Sequence, residues 1–73
     1  MNRMKQYQIT VKTYPIRLGQ FLKLAEISND GIEAKHLIGS GKVFVNGIID
    51  TRRGRQLVED DLVTVNDVSY RCA

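Results

Sequence analysis

The sequence of 73 residues predicts an α+β fold in which two short helices pack on a small, mainly antiparallel sheet. Two stripes of apolar residues repeat with helical spacing, one within residues 17–25 and one within residues 33–38. Apolar and polar residues alternate before and after these stripes, and short turn sequences separate the later alternating runs. The elements are therefore expected in the order strand, helix, helix and then several strands.

The first strand is predicted at residues 7–13, where Tyr7, Ile9 and Val11 alternate with polar residues and form one apolar face. Pro15 is expected to end this strand, because proline has no amide hydrogen to donate to a sheet. The next segment, 17–25, has apolar residues at i, i+3, i+4 and i+7, which predicts a helix with one buried stripe. That stripe consists of Leu18, Phe21, Leu22 and Ala25.

The second helix is expected after a break at residues 28–31. Asp30 can accept a hydrogen bond from the amide of Glu33, as in a capping box. The sequence at 39–41, Gly-Ser-Gly, should end the helix, because glycine adopts the left-handed conformation that is common after a last turn. The buried stripe of this helix is predicted to be Ala34, Leu37 and Ile38.

After the second helix the apolar spacing changes to two, which predicts strands. The pair Asn46-Gly47 is a strong signal for a two-residue hairpin turn, because both residues tolerate positive φ. Residues 48–51 are the predicted returning strand of this hairpin. A further pair of strands is expected at 62–65 and 68–72, joined by Asn66-Asp67.

Composition and charge limit the possible classes of protein. Apolar residues form 42% of the chain and charged residues 26%, which is typical of a folded soluble protein. We expect residues 1–73 to form a single domain, because so short a chain has no room for a second core. No apolar run approaches the roughly 20 residues of a membrane span, and the polar start lacks the apolar core of a signal peptide. The expected location is the cytoplasm.

The sequence does not predict an enzyme, a cofactor or a metal site. Cys72 is the only cysteine and His36 is the only histidine, so the pair cannot build a tetrahedral zinc site. Nothing in the sequence indicates that these two residues meet as a nucleophile and its base. We therefore expect a protein that binds a partner and performs no catalysis.

Three arginines lie within four positions, at Arg52, Arg53 and Arg55, in a chain with a net charge of +3. Guanidinium groups form planar forks that bind phosphate oxygens through two hydrogen bonds and that also stack on bases. Gly54 between them lets the backbone approach a ribose-phosphate chain. The alternative is a solvated loop whose charge serves solubility, and the spacing alone does not decide between the two.

Residues 33–47, with the sequence EAKHLIGSGKVFVNG, resemble the core motif of the S-four RNA-binding domain, named for small-subunit ribosomal protein four. The resemblance spans roughly residues 16–65 and implies the fold of the αL RNA-binding motif. The segments LGQFLKLA and TRRGRQL resemble small stand-alone bacterial members, the YaaA/YbcJ-like group. The resemblance implies binding to structured RNA, either ribosomal RNA or a ribosome-assembly particle. One departure is Asp30-Gly31, where many members carry Ser or Thr followed by an arginine that faces RNA.

The expected partner is structured RNA, bound by a monomer through a basic surface, without a membrane or a small-molecule substrate. Lys35 could instead balance Glu33, and Asn46 also has a structural reason to begin a tight turn. The alternative function is a protein-interaction adaptor whose basic surface docks an acidic protein. The predicted RNA-binding residues are Arg17, Lys23, Lys35, Lys42, Asn46, Arg52, Arg53 and Arg55.

Overall fold

Two helices pack on a five-stranded sheet in the computed structural model, which describes residues 5–73. The predicted α+β class is therefore confirmed, and the sheet is mainly antiparallel, as expected. Residues 1–4 lie outside the described residues, and they include much of the polar start on which the expected cytoplasmic location partly depends.

The elements follow the chain in the order β1, β2, α1, α2 and then β3 to β7. The helices are α1, Leu18–Leu24, and α2, Gly31–Gly39. The strands are β1 (Lys5–Ile9), β2 (Ile16–Arg17), β3 (Val43–Val45), β4 (Ile48–Ile49), β5 (Gln56–Leu57), β6 (Leu62–Val65) and β7 (Val68–Cys72). The main sheet has the order β1-β7-β6-β3-β4, and only its β1–β7 pair is parallel. Strands β2 and β5 form a separate antiparallel ribbon.

Both helices bury the apolar stripes that their spacing predicts. Leu18, Phe21 and Leu22 of α1 are completely buried, and so are Ala34 and Ile38 of α2. These side chains share one core with the buried valines of β3 and β6, while Ala25 and Leu37 lie partly buried at its margin. Burying one large apolar side chain contributes about 1.5 to 3 kcal/mol, so this shared core stabilises helices too short to persist alone.

The predicted cap and turns are also present. The Glu33 amide donates a 2.8 Å hydrogen bond to Asp30 Oδ1 at the start of α2. Asn46 and Gly47 have φ angles of 51° and 85°, the left-handed values that a two-residue hairpin turn requires. The second predicted turn has positive φ at Asn66 and Asp67 as well. Local signals therefore located the cap and both hairpins.

The predicted first strand, 7–13, is wrong in position, because β1 ends at Ile9. This strand lies at the edge of the sheet and pairs only with β7, so most of its side chains stay exposed. Tyr7 is 49% exposed and stacks on Tyr70, with 5.8 Å between the ring centroids. Val11 is buried beyond the end of the strand, where its amide donates to the Ala73 carbonyl.

The predicted returning strand, 48–51, is too long, because β4 contains only Ile48 and Ile49. The next residue, Asp50, is buried and turns its carboxylate toward the arginines that follow. The β2–β5 ribbon is not predicted by the sequence, since strands of two residues carry no measurable period. This ribbon brings the segment before α1 next to the segment after the arginines.

Candidate functional site

The segment 50–55, called the arginine loop below, closes over the beginning of α1. The amide of Leu18 donates to the Arg55 carbonyl at 2.8 Å, and the amide of Gly19 donates to the Arg53 carbonyl at 3.1 Å. The residue before α1 is Arg17, whose side chain has no oxygen that could accept from these amides. The carbonyl groups of the arginine loop therefore cap α1, and the loop is fixed to the helix through its backbone.

Within the loop, a buried aspartate binds two of the three arginines. Asp50 Oδ1 accepts from Arg52 Nε at 3.1 Å, and Oδ2 accepts from Arg52 Nη2 at 2.8 Å. Arg55 Nη1 donates to the same Oδ2 at 2.9 Å. The side chain of Asp50 is 6% exposed, whereas those of Arg52 and Arg55 are 69% and 31% exposed. One buried carboxylate thus holds two guanidinium groups side by side near the surface.

These contacts change the ionisation of the groups involved. The hydrogen bonds from the Arg52 side chain hold the pKa of the Asp50 carboxyl well below its usual range, although burial acts in the opposite direction. The Arg52 amide and the Arg55 side chain lower this pKa further. The Asp50 carboxylate in turn raises the pKa of Arg52. Asp50 therefore stays ionised in the folded protein at neutral pH.

Arg53 is placed differently, against α1. A Cβ atom added to Gly19 would stand 2.8 Å from Arg53 Cγ, so the arginine lies directly on the helix backbone. At this point a cleft of about 330 Å³ runs between α1, α2 and the arginine loop. Its lining contains three cations and no carboxylate. The lining residues are Arg17, Gly19, Gln20, Lys23, Gly31, Ala34, Arg53 and Gly54.

A second groove, of about 730 Å³, runs along the exposed side of α2. Lys35 and His36 line it from the helix, and Thr51 and Arg53 line it from the arginine loop. Arg53 borders both the cleft and this groove, so it joins them into one basic surface. We call the cleft and the groove together the basic surface below.

Two of the predicted RNA-binding residues, Lys42 and Asn46, lie outside the basic surface. Lys42 lines a separate cleft beside β3 and β6, together with residues of the β6–β7 turn. Asn46 lines a further cleft with Arg52 and Arg55, but both ends of its amide are engaged within the protein. Its Nδ2 donates to Asp61 Oδ1 at 3.1 Å, and its Oδ1 accepts from the Leu62 amide at 3.0 Å. These bonds give Asn46 a structural role, while contacts of Lys42 and Asn46 with RNA stay predictions.

The structure adds residues that the sequence analysis did not select. Asp50 organises two arginines, and Gly19 makes room for the third. The sequence signal for Asp50 was an acid placed between an apolar strand and a run of arginines. The signal for Gly19 was a glycine inside a helical pattern, which often marks a close approach of another segment.

The two residues considered for catalysis, Cys72 and His36, lie in different environments. Cys72 is completely buried, and burial raises the pKa of its thiol to about 11, with a smaller effect from the charge of Asp61. His36 lies on the exposed side of α2. Residues 5–73 contain no group of three or more His, Cys, Asp or Glu that could hold a metal ion. No helix within that range is long and apolar enough to span a bilayer.

Comparisons with known proteins cover most of the chain. The profile of the S4 domain matches residues 9–73. The probable ribosome maturation protein RlbA of Bacillus subtilis (strain 168) is 44% identical over 57 residues, which cover 78% of this chain and 80% of that protein. The solution structure of YbcJ from E. coli, which is described as having an alfaL motif involved in RNA-binding, matches with a TM-score of 0.67 and 28% identity. This match covers all of the present chain and 91% of YbcJ.

Proposed function

The chain belongs to the S4 domain family, and on that premise we propose that it binds structured ribosomal RNA during the maturation of the ribosome. The relative from Bacillus subtilis is named as a probable ribosome maturation protein, and the solved structure of YbcJ contains a motif described as involved in RNA-binding. The protein acts in this proposal as a binding module and not as an enzyme.

The observation that carries the proposal is the cleft with three cations and no carboxylate in its lining. Arg17 and Lys23 lie on the α1 side of the cleft, and Arg53 lies on the loop side. Double-stranded RNA hides its base edges in a deep groove, so proteins bind it mainly through phosphates and 2′-hydroxyl groups. Guanidinium and ammonium groups suit the phosphates, and the amide of Gln20 suits a 2′-hydroxyl group.

The walls of the cleft favour close approach of a ribose-phosphate chain. A Cβ atom on Gly31 or on Gly54 would have no heavy atom within 4 Å, so both positions border open space. Without side chains there, a phosphate group can approach the backbone of α2 and of the arginine loop. Lys35 and His36 extend the basic surface along α2, which would allow a second phosphate to bind there.

The arrangement also accounts for the departure at the start of α2. Asp30 uses its carboxylate to cap the helix, and Gly31 carries no cation where many members of the family have an arginine. Arg53 lines the same cleft as Gly31. We propose that Arg53 supplies from the arginine loop the charge that is missing from the helix.

The test compares the affinity of the purified protein for a structured fragment of ribosomal RNA with its affinity for duplex DNA of equal length. Lys23→Gln should weaken RNA binding and reduce the slope of log affinity against log salt by about 0.7 to 0.9. Lys12→Gln is the matched control, because Lys12 is exposed and lies outside the basic surface.

Equal losses in the two variants, or binding to RNA no tighter than to DNA, would contradict the proposal. Crosslinking in cells followed by sequencing would identify the RNA that is bound. Recovery of an acidic protein without RNA would instead support an adaptor.

A further inference from the structure

The carboxylate of Asp50 lies between the guanidinium groups of Arg52 and Arg55, two residues that the sequence predicts to bind RNA. We propose that Asp50 is a positioning residue, which sets Arg52 and Arg55 in advance as a clamp for one phosphate group. This inference rests on the proposed function and assigns to a buried acid a part in the recognition of a polyanion.

The contacts of Arg52 leave a defined part of its guanidinium group for a ligand. Arg52 has five N–H donors, and it directs Nε and Nη2 toward the two oxygens of Asp50. Three donors remain on a side chain that is 69% exposed. Because the edge that contains Nε is held by the carboxylate, the remaining donors can face only away from it. The orientation of the guanidinium fork is therefore fixed before any ligand binds.

Arg55 completes the clamp. Its Nη1 and the Nη2 of Arg52 both lie within 2.9 Å of one oxygen, Asp50 Oδ2, so the two guanidinium groups are neighbours. Two cations at such a separation repel each other, and the carboxylate between them offsets this repulsion. The three groups together carry one net positive charge, which matches the single negative charge of a backbone phosphate. Its two non-bridging oxygens can each accept from one arginine.

The backbone is fixed by the same carboxylate. The amide of Arg52 donates to Asp50 Oδ1 at 3.0 Å, which closes a tight turn in the arginine loop. The end of that loop caps α1 through the carbonyl of Arg55. Neither arginine has to be ordered when RNA arrives, so the entropic cost of binding is lower than for two mobile side chains.

A purely electrostatic role for Asp50 predicts the opposite result from a positioning role. If Asp50 were only a negative charge near the binding surface, its removal would raise the net charge and strengthen binding to RNA. If Asp50 positions the arginines, its removal lets them separate, and binding weakens although the net charge rises. The sign of the change in affinity therefore distinguishes the two roles.

The experiment measures the affinity of Asp50→Asn and Asp60→Asn for the same structured RNA. Asp60 is an exposed turn residue with φ of 76°, a conformation that asparagine tolerates. Its replacement therefore removes an equal charge at a position outside the basic surface. We expect Asp60→Asn to bind as tightly as the native protein or slightly more tightly. We expect Asp50→Asn to bind about tenfold more weakly, equivalent to the loss of one charge-assisted hydrogen bond. Unchanged or tighter binding by folded Asp50→Asn would overturn the inference.

Two further variants keep the inference testable if Asp50→Asn does not fold. Arg52→Lys retains the charge at an exposed position but cannot contact both carboxylate oxygens through a planar fork, so RNA binding should weaken. Unchanged affinity of this variant would also overturn the inference. In a background of Arg52→Gln, adding Asp50→Asn should cause a smaller loss of affinity than it causes alone, because one of the two arginines that Asp50 positions is already removed. Equal losses in both backgrounds would assign Asp50 a structural role only.

The native protein separates this inference from the proposed function. If the native protein does not bind structured RNA, the proposed function itself is wrong. If it binds and Asp50→Asn binds equally well, only the positioning role of Asp50 fails.

Discussion

Gly19 and Arg53 are in such close contact that a single added carbon would collide. A Cβ atom on Gly19 would lie 2.8 Å from Arg53 Cγ, a separation that real Cβ atoms essentially never have. The backbones of the two residues are also joined, because the Gly19 amide donates to the Arg53 carbonyl at 3.1 Å. The position of the Arg53 side chain therefore depends on the absence of a side chain at residue 19.

The first prediction is that Gly19→Ala lowers the affinity for structured RNA while it changes the stability of the fold only slightly. Alanine stabilises a helix by up to about 1 kcal/mol relative to glycine. The forced shift of the Arg53 side chain costs about 1 to 3 kcal/mol. We expect a small net loss of stability in thermal unfolding. We expect a larger relative loss in the affinity for structured RNA, because Arg53 moves away from the cleft.

Gly31→Ala is the matched control for this substitution. Gly31 lines the same cleft, but a Cβ atom there would meet nothing within 4 Å. We expect Gly31→Ala to leave the position of Arg53 unchanged, so that any loss of RNA binding reports only the space its methyl group takes from a phosphate. This loss should be smaller than that of Gly19→Ala. The reverse order of the two affinities would show that Gly19 does not position Arg53.

The second prediction concerns the hairpin turn between β3 and β4. Gly47 has φ of 85°, a region that β-branched residues strongly resist. Gly47→Val should reduce the free energy of unfolding by at least about 1 to 2 kcal/mol, measured in urea. Gly39→Ala, at the end of α2, is the control, because a Cβ atom there meets nothing within 4 Å and should be neutral or stabilising. An unchanged stability of Gly47→Val would contradict the turn geometry.

The third prediction is a loss of stability in acid that depends on Asp50. The pKa of this carboxyl is lowered in the folded protein, mainly by hydrogen bonds from Arg52, relative to its value in the unfolded chain. Ionised Asp50 therefore contributes stability that is complete above the unfolded pKa of about 4 and decreases as the pH falls below it. The contribution is on the order of 1 kcal/mol, because solvent screens the ion pair with the exposed Arg52 side chain.

Unfolding in urea at several pH values between about 2.5 and 6 measures this dependence. Asp50→Asn should remove part of the decrease in acid, whereas Asp60→Asn should retain it. Equal acid sensitivity of Asp50→Asn and the native protein would show that the Asp50 carboxyl does not stabilise the fold.

The elements that could be predicted from the sequence are those with local signals. The stripe of α1, the cap at Asp30 and the turn at Asn46-Gly47 each depend on residues within a few positions of one another. The position of β1 was wrong because the alternation of apolar and polar residues continues past Ile9, whereas the partner strand β7 ends at Cys72, opposite Ile9. The β2–β5 ribbon joins residues about forty positions apart, and no local period reports such a contact.

The residues of the candidate site could be selected only in part from the sequence, and their contacts with RNA stay predictions. Charge and spacing selected Arg53, Arg17 and Lys23, and the fold brings these three residues to one cleft. The sequence did not separate Arg53 from its neighbours Arg52 and Arg55, because their difference depends on the burial of Asp50. That burial follows from the packing of the sheet and the loop, which a pattern of charges does not contain.

The burial of Asp50 also changes how the arginines can be tested. The sequence alone predicts that replacing all three arginines by Gln changes folding little, since glutamine keeps the length and polarity of the side chains while removing the charge. In the structure, removing the Arg52 and Arg55 side chains leaves the buried Asp50 carboxylate with only the backbone amide of residue 52 as a donor. Leaving a buried group short of hydrogen-bond donors costs about 1 to 3 kcal/mol, a substantial part of the stability of a small domain. A loss of RNA binding in the triple variant would then report unfolding.

The last prediction therefore uses Arg53 alone. Its side chain makes no hydrogen bond or ion pair with Asp50 among the described contacts, so Arg53→Gln should keep the fold. The slope of log affinity against log salt should decrease in magnitude by about 0.7 to 0.9, the value for one phosphate contact, with the greatest loss of affinity at low salt. Lys12→Gln removes the same charge away from the basic surface and should leave the slope nearly unchanged. If folded Arg53→Gln retains the native affinity and salt slope, the side chain that borders both the cleft and the groove does not contact RNA phosphate.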